Sequence, residues 1–204
     1  MADSSINVTE GSGKRLQTYD HTVSSVLVQR QAVVLGEQPL ASYLAGASGV
    51  STATANSHLL QIMAGSSSNV RIRRIELWQQ VMATTAAIMQ VSIVRLSTAG
   101  TGGGAVSVNN LDAADAAAGA TAMSLPTAKG TEPGTLINAG VYMMQTVAAS
   151  AQLAGPSLVW DFDGLRFKSL VIAAGTSNGI ALKNVTAIAA GTVHINVWLS
   201  ETAW

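Results

Sequence analysis

Near its C-terminal end the chain reads TVHINVWLS, from Thr192 to Ser200. Every second position of this stretch is apolar: Val193, Ile195, Val197 and Leu199. His194, Asn196, Trp198 and Ser200 alternate with them. Because successive side chains of a β-strand point to opposite faces, the alternation predicts an antiparallel strand with one face in a core and the other facing outward.

Shorter segments of the same kind precede this strand. They are rich in Val, Ile and Leu and are separated by runs of Gly, Ser, Thr and Asn, which is typical of strands joined by turns. We expect strands at His58–Met63, Val70–Trp78, Ala87–Leu96, Leu136–Val147, Leu158–Phe162, Ser169–Ala173 and Ile180–Val185. Together with Thr192–Leu199 these make about eight strands, which predicts an all-β, jelly-roll-like antiparallel β-sandwich over residues 57–204. Asn109–Pro126 is rich in Ala and is expected to be an ordered excursion between strands.

One strand has a break in its alternation. Val70 and Ile72 share one face, whereas Ile75 and Leu77 fall on the other. A strand changes face only by gaining a residue, so we predict a β-bulge near Arg73-Arg74.

The first 56 residues differ from the rest and are expected to form an N-terminal arm and linker. Val26–Leu35 is a strand candidate with β-branched residues, whereas Leu40–Asn56 is rich in Ala, Ser, Gly and Thr and indicates a linker or long loop. A lone strand cannot cover its own apolar face, so it must lie against the following domain or a neighbouring copy. Val28, Arg30 and Val33 are therefore candidate interface residues.

The composition indicates a protein that hides surface against partners. Of the 204 residues, 48% are hydrophobic but only 11% are charged, less than half of the roughly 25% that is usual. No run of about 20 apolar residues predicts a membrane helix, and the polar Met1–Glu10 segment does not resemble a secretory signal. A net charge of +0 argues against a nucleic-acid partner, and the absence of Cys excludes disulfides and thiolate metal sites.

No segment predicts catalysis or a bound ion. Asp161-Phe162-Asp163-Gly164 supplies two carboxylates, too few for calcium, and an Asp-Gly turn explains it better. His21, His58 and His194 have neither metal-ligand spacing nor a nucleophile motif beside them. We therefore expect no catalytic, cofactor or metal site and no enzymatic activity.

The remaining candidates are contact residues. Arg71, Arg73 and Arg74 form the densest charge in the chain and predict either a solvated strand edge or a protein interface, where Arg is enriched. Trp198, on the outward face, and Trp204 are candidate anchors between chains, although Trp204 folded back on its own domain is an equal alternative. A carbohydrate-binding module is a rival of another class, but Trp78, Trp160, Trp198 and Trp204 are scattered in sequence.

Several segments, taken together, resemble tailed-bacteriophage virion structural proteins. Gly11–Thr18 (GSGKRLQT) followed by Val28–Val33 (VQRQAV) gives a Gly-rich turn, a polar segment and a strand with a basic residue. Val91–Gly103, Leu111–Met123 and Ser169–Gly179, followed by the Val-rich last strand, strengthen the likeness.

Within that group the chain most resembles jelly-roll decoration (cement) proteins. The resemblance implies a location on the outer capsid surface of the virion, binding to the major capsid protein, and association with copies of itself, often as a homotrimer. The long arm leaves a tail, baseplate or head-fibre component open as the alternative. No residue roles carry over, because such proteins have no catalytic residues.

Overall fold

The computed structural model describes residues 18–23, 26–31, 40–81, 87–144, 157–163 and 169–203. All regular structure in these ranges is β-strand, and all strand pairs are antiparallel. The strands are β1 (Thr18–Val23), β2 (Val26–Gln31), β3 (Ser42–Ser51), β4 (Ser57–Met63), β5 (Ser68–Val81), β6 (Ala87–Leu96), β7 (Gly104–Val106), β8 (Val108–Asn110), β9 (Thr121–Ser124), β10 (Gly134–Met144), β11 (Leu158–Asp161), β12 (Leu170–Ile172), β13 (Gly179–Asn184) and β14 (Thr192–Ala203). The described ranges contain no helix long and apolar enough to cross a membrane.

The chain divides into two compact units, Met1–Pro39 and Leu40–Trp204. In the first unit β1 and β2 pair with each other, with Thr18 opposite Gln31 and Val23 opposite Val26. The expectation of a lone strand is therefore wrong, because β2 has its hydrogen-bonding partner within its own unit. The polar sequence TYDHTV of β1 gave no apolar alternation by which to recognise that partner.

The second unit is a sandwich of two sheets. The first sheet has the strand order β10-β6-β13-β4-β9-β7, and the second has the order β11-β5-β14-β3-β8, with β12 also paired to β5. A single large cluster of buried apolar side chains draws on both sheets, including Leu60, Ile93, Ile72 and Ile195. The predicted all-β sandwich is confirmed.

The two most detailed strand predictions are also confirmed. In β14 the side chains of Val193, Ile195, Val197 and Leu199 are all buried. In β5 the residue opposite Trp198 is Arg74, but the residue opposite Leu199 is Ile72, so Arg73 is the extra residue of a β-bulge. The bulge lets Val70 and Ile72 share the core with Ile75 and Leu77 despite their odd spacing.

The predicted linker over Leu40–Asn56 is wrong. Most of it is β3, which lies between β14 and β8, so the sandwich begins at Leu40 rather than at residue 57. Ala45 and Ala47 face the core, whereas the larger Leu44 lies on the opposite face, so the alternation has little hydrophobic contrast. The strand forms because β14 supplies its hydrogen-bonding partners, not because of its own propensity.

The region from Asn109 to Pro126 is more regular than the sequence predicted. It contains the end of β8, an edge strand of the second sheet, and all of β9, which lies between β4 and β7 in the first sheet. With β7, they raise the number of described strands from Ser57 onward to eleven rather than eight. These three strands have only three or four residues each, too few for a recognisable period.

A strap of two hydrogen-bonded segments lies against part of the outer face of the first sheet. We define the strap as residues 97–101 and 126–132, which are linked by hydrogen bonds from Ser97 N to Thr131 O and between Thr101 and Ala128. On this face the cluster of Met63, Val94, Leu96 and Ala181 is buried. The outer face of the second sheet, by contrast, has polar and aromatic side chains.

Candidate functional site

A groove lies on the second sheet at the β5 bulge. Its volume is about 420 Å³. It is lined by Ser42, Arg73, Arg74, Leu111, Asp161, Asp163, Trp198 and Leu199. These residues come from β3, β5, β11 and β14 and the segments that follow β8 and β11, so the sheet pairing assembles the groove from distant parts of the chain.

Trp198 and Arg74 form the centre of this groove. They are directly opposite each other on β14 and β5, and the Arg74 guanidinium carbon lies 5.6 Å from the centre of the indole ring. Arg74 also forms an ion pair with Glu76, two residues along the same strand. Arg74 therefore covers one face of the indole, and Trp198 is half-buried.

Arg73 links the bulge to the segment after β11 by a hydrogen-bonded ion pair. Its Nε donates a hydrogen bond to Ser200 Oγ at 2.9 Å, and its Nη1 lies 2.5 Å from Asp163 Oδ1. The Asp163 backbone N–H in turn donates to Asp161 Oδ1 at 2.9 Å. Because Arg73 is the bulged residue, its ion pair attaches Asp163 to the bulge, whereas Asp161 is placed by the pairing of β11 with β5.

The tryptophans are less scattered than the sequence indicated. Trp78 and Trp198 alternate with buried neighbours on β5 and β14 and both lie on the outer face of the second sheet. Trp78 stacks on His194, with ring centres 5.3 Å apart and an angle of 25° between the rings. Trp160 packs against the core instead. The outer face thus has two aromatic positions, which weakens the objection to sugar binding.

The structure brings together three of the eight predicted interface residues, Arg73, Arg74 and Trp198. Arg71 is half-buried on the same strand, opposite Ser200 and Val171, and does not line the groove. Val28 and Arg30 belong to β2, where the positions of the side chains lie outside what the structure describes. Val33 and Trp204 are outside the described residues.

Ser42 and Leu111 could not be predicted as members of this site from the sequence. Leu111 is 57% exposed, and an exposed leucine in an Ala-rich segment gives no sequence signal of its own. Asp161 and Asp163 were recognised as a pair but interpreted as a turn. The contact of Asp163 with Arg73 depends on the pairing of β11 with β5, which local sequence does not specify.

A second polar cluster joins the strap to the first sheet. Gly100 N–H donates to Gln61 Oε1 at 2.9 Å, so the Gln61 amide nitrogen faces His58 Nδ1, 2.6 Å away. Nδ1 of His58 must therefore accept, which leaves Nε2–H to donate to Glu132 Oε1 at 2.9 Å. The amide of Gln61 thus fixes one neutral tautomer of a fully buried histidine.

The carboxylate of Glu132 contacts three side chains of this cluster, each through a cationic or N–H group. Lys183 Nζ lies 2.7 Å from Oε2 and Lys129 Nζ lies 3.0 Å from Oε1, in addition to His58. Burial alone would raise the pKa of Glu132, but these hydrogen bonds outweigh it and lower the pKa from 4.5 to about 2. Burial lowers the pKa of His58 below 6.5, although Glu132 opposes the change. The cluster is therefore a structural ion network that favours neutral His58.

Within the described ranges no three His, Asp or Glu side chains converge as a metal-binding set. No protein-family model matches the chain, and no curated protein matches it significantly in sequence.

Proposed function

We propose that this chain is a structural, non-enzymatic subunit of a tailed-phage virion that decorates the capsid. It would bind the major capsid protein and copies of itself, as a homotrimer, on the outer capsid surface. The proposal starts from the sequence resemblance described above and gains support from two features of the fold.

We infer first that the sandwich is a jelly roll. The strand pairs nest within one another along the chain: β3 with β14, β4 with β13, β5 with β12 and β11, and β6 with β10. The ribbons are joined side by side through the β14–β5 and β13–β6 pairs. One long antiparallel ribbon, rolled into two sheets, produces this order, and jelly rolls are common in viral capsid proteins.

The observation that carries the assembly role is the division into two units. The β1–β2 pair belongs to Met1–Pro39, and neither strand takes part in the two sheets of the sandwich. The sandwich therefore does not need these strands for its own hydrogen bonding, which leaves them available to contact a capsid protein or another copy. Sparse charge favours the same role, because few charges would need to be desolvated in such contacts.

A truncation tests this proposal. The full chain and a variant lacking Met1–Pro39 would be mixed with undecorated shells of the major capsid protein encoded in the same genome and then sedimented. We expect the full chain to saturate the shells. The truncated chain should remain folded, and tryptophan fluorescence can monitor this because all four tryptophans lie in the sandwich unit. It should lose most of its affinity for the shells, because the arm that is proposed to bind them has been removed.

Saturation by the truncated chain at the wild-type concentration would show that the arm is not the binding element. An electron-microscopy map of the virion that placed the chain on the tail, baseplate or a head fibre would favour that alternative over decoration. Light scattering of the purified chain measures the predicted trimer directly.

A further inference from the structure

The groove at the β5 bulge has the volume of a small-molecule site. A volume of about 420 Å³ falls within the range of about 300–1,000 Å³ that is typical of ligand pockets. Trp198 contributes a half-buried indole, and Leu111 contributes an exposed apolar side chain. Arg74 lies over one face of this indole, so a ligand that stacks on Trp198 uses the opposite face.

The charges of the groove cancel. Arg73 and Arg74 are matched by Asp161 and Asp163, and Arg73 is already paired with Asp163. A charged ligand would therefore gain little from the groove as a whole, and it would have to compete with existing ion pairs. A ligand with hydroxyl groups is different, because each hydroxyl can accept from a guanidinium N–H and donate to a carboxylate oxygen.

We propose that this groove binds a neutral saccharide. One sugar ring lies with its C–H face against the face of the Trp198 indole that Arg74 does not cover, and its hydroxyl groups bond to Arg74 and to Asp161 or Asp163. A small, charge-balanced groove beside a half-buried indole combines the apolar and hydroxyl-binding surfaces that a sugar ring requires. This inference goes beyond the capsid role and does not depend on it: the same groove would bind sugars in any assembly that leaves it open.

The test uses the full chain and a defined set of probes. Maltose, cellobiose, lactose and diacetylchitobiose serve as neutral disaccharides, and sialyllactose serves as the acidic comparison. Binding is followed by tryptophan fluorescence and by saturation-transfer NMR, at sugar concentrations up to about 10 mM, which detects weak dissociation constants in the millimolar range. We expect at least one neutral disaccharide to bind, and sialyllactose not to exceed it.

Two tryptophan variants locate the site. Trp198→Ala should weaken binding about ten-fold or more, because it removes the aromatic contact. Trp78→Ala is the matched control: Trp78 lies on the same face but about 13 Å further along β5 than Arg74, four residues at the usual strand rise. Binding by the control should stay within about two-fold of wild type.

A further variant guards against a folding defect. Leu111→Glu alters an exposed residue that lines the groove, so the fold should be retained while the groove is blocked. It should reduce binding as Trp198→Ala does, with an unchanged unfolding midpoint.

The inference is overturned if none of the neutral sugars binds, if only the acidic sugar binds, or if Leu111→Glu binds as wild type does. It is also overturned if the wild type gives no signal with any sugar and the Trp198→Ala variant no longer self-associates. That last outcome would assign the Trp198–Arg74 surface to contacts between copies.

Discussion

Replacing Glu132 with glutamine would remove the carboxylate at the centre of the network that holds the strap to the first sheet. Lys183 and Lys129 would lose their counter-charge, whereas His58 Nε2–H could still donate to the new amide oxygen. The side chain of Glu132 is only 19% exposed, so solvent screens these interactions weakly. We therefore expect a large loss of stability from a change that alters side-chain size little.

The magnitude follows from the pKa of Glu132, which the folded protein lowers from 4.5 to about 2. A depressed carboxyl pKa stabilises the folded state at pH values above 4.5, and this contribution is lost as the pH falls from 4.5 towards 2. A difference of roughly 2.5 pKa units corresponds to about 3 kcal/mol. Glu132→Gln should therefore lower the free energy of unfolding by about 3 kcal/mol at pH 7 and by little at pH 2.

Urea unfolding followed by tryptophan fluorescence, at several pH values between 7 and 2, measures this difference. The control is Glu76→Gln, which removes the partner of Arg74, a side chain that is 46% exposed. Such a pair contributes at most about 1 kcal/mol. A loss below about 1 kcal/mol for Glu132→Gln at pH 7, or a pH dependence equal to that of the wild type between pH 4.5 and 2, would refute the reasoning.

Three further predictions concern the network, the core and the bulge. Burial lowers the pKa of His58 below 6.5, so protonation of His58 favours the unfolded state. The wild type should therefore lose stability as the pH falls from 6.5 towards 5, whereas His58→Gln should not. Urea unfolding of both proteins at pH 7 and pH 5 measures the difference. Ile195→Ala should cost about 2–5 kcal/mol, because the side chain is fully buried, whereas Ile88→Ala, at a residue that is 55% exposed, should cost less than about 0.5 kcal/mol. Deleting Arg73 removes the bulge but leaves Val70, Ile72, Ile75 and Leu77 in regular alternation on the core face. The loss should therefore come from contacts of Arg73 itself, such as those with Ser200 and Asp163, and should be about 2 kcal/mol or less in urea unfolding; a loss above about 4 kcal/mol would contradict the assigned register.

The sequence predicted those strands whose own residues alternate strongly. β5, β6, β13 and β14 have Val, Ile or Leu at core positions, so the period of two is visible without knowledge of the partner strands. The bulge at Arg73 was predictable for the same reason, since two apolar pairs on one strand had the wrong spacing to share a face. Local alternation is set by consecutive residues and does not depend on which strand lies beside them.

β3 is a strand that local alternation does not predict. Its core positions include Ala45 and Ala47, and Gly46 lies between them, so burial there depends on small side chains that occur equally in loops. The short strands β7, β8 and β9 have the same limitation. Their conformation is decided by hydrogen bonds from neighbours that are distant in sequence.

The groove likewise has features that the sequence predicts and features that depend on the tertiary structure. By itself the sequence determined the strong strands, the bulge and the outward position of Trp198, because each depends on the order of neighbouring residues. Only the tertiary structure decided that Arg74, Asp161, Leu111 and Trp198 line one groove, because strand pairing brings together side chains from four separate parts of the chain. The physical reason is that a sheet's hydrogen bonds are made between strands, so the neighbours of a side chain are set by register and not by sequence distance.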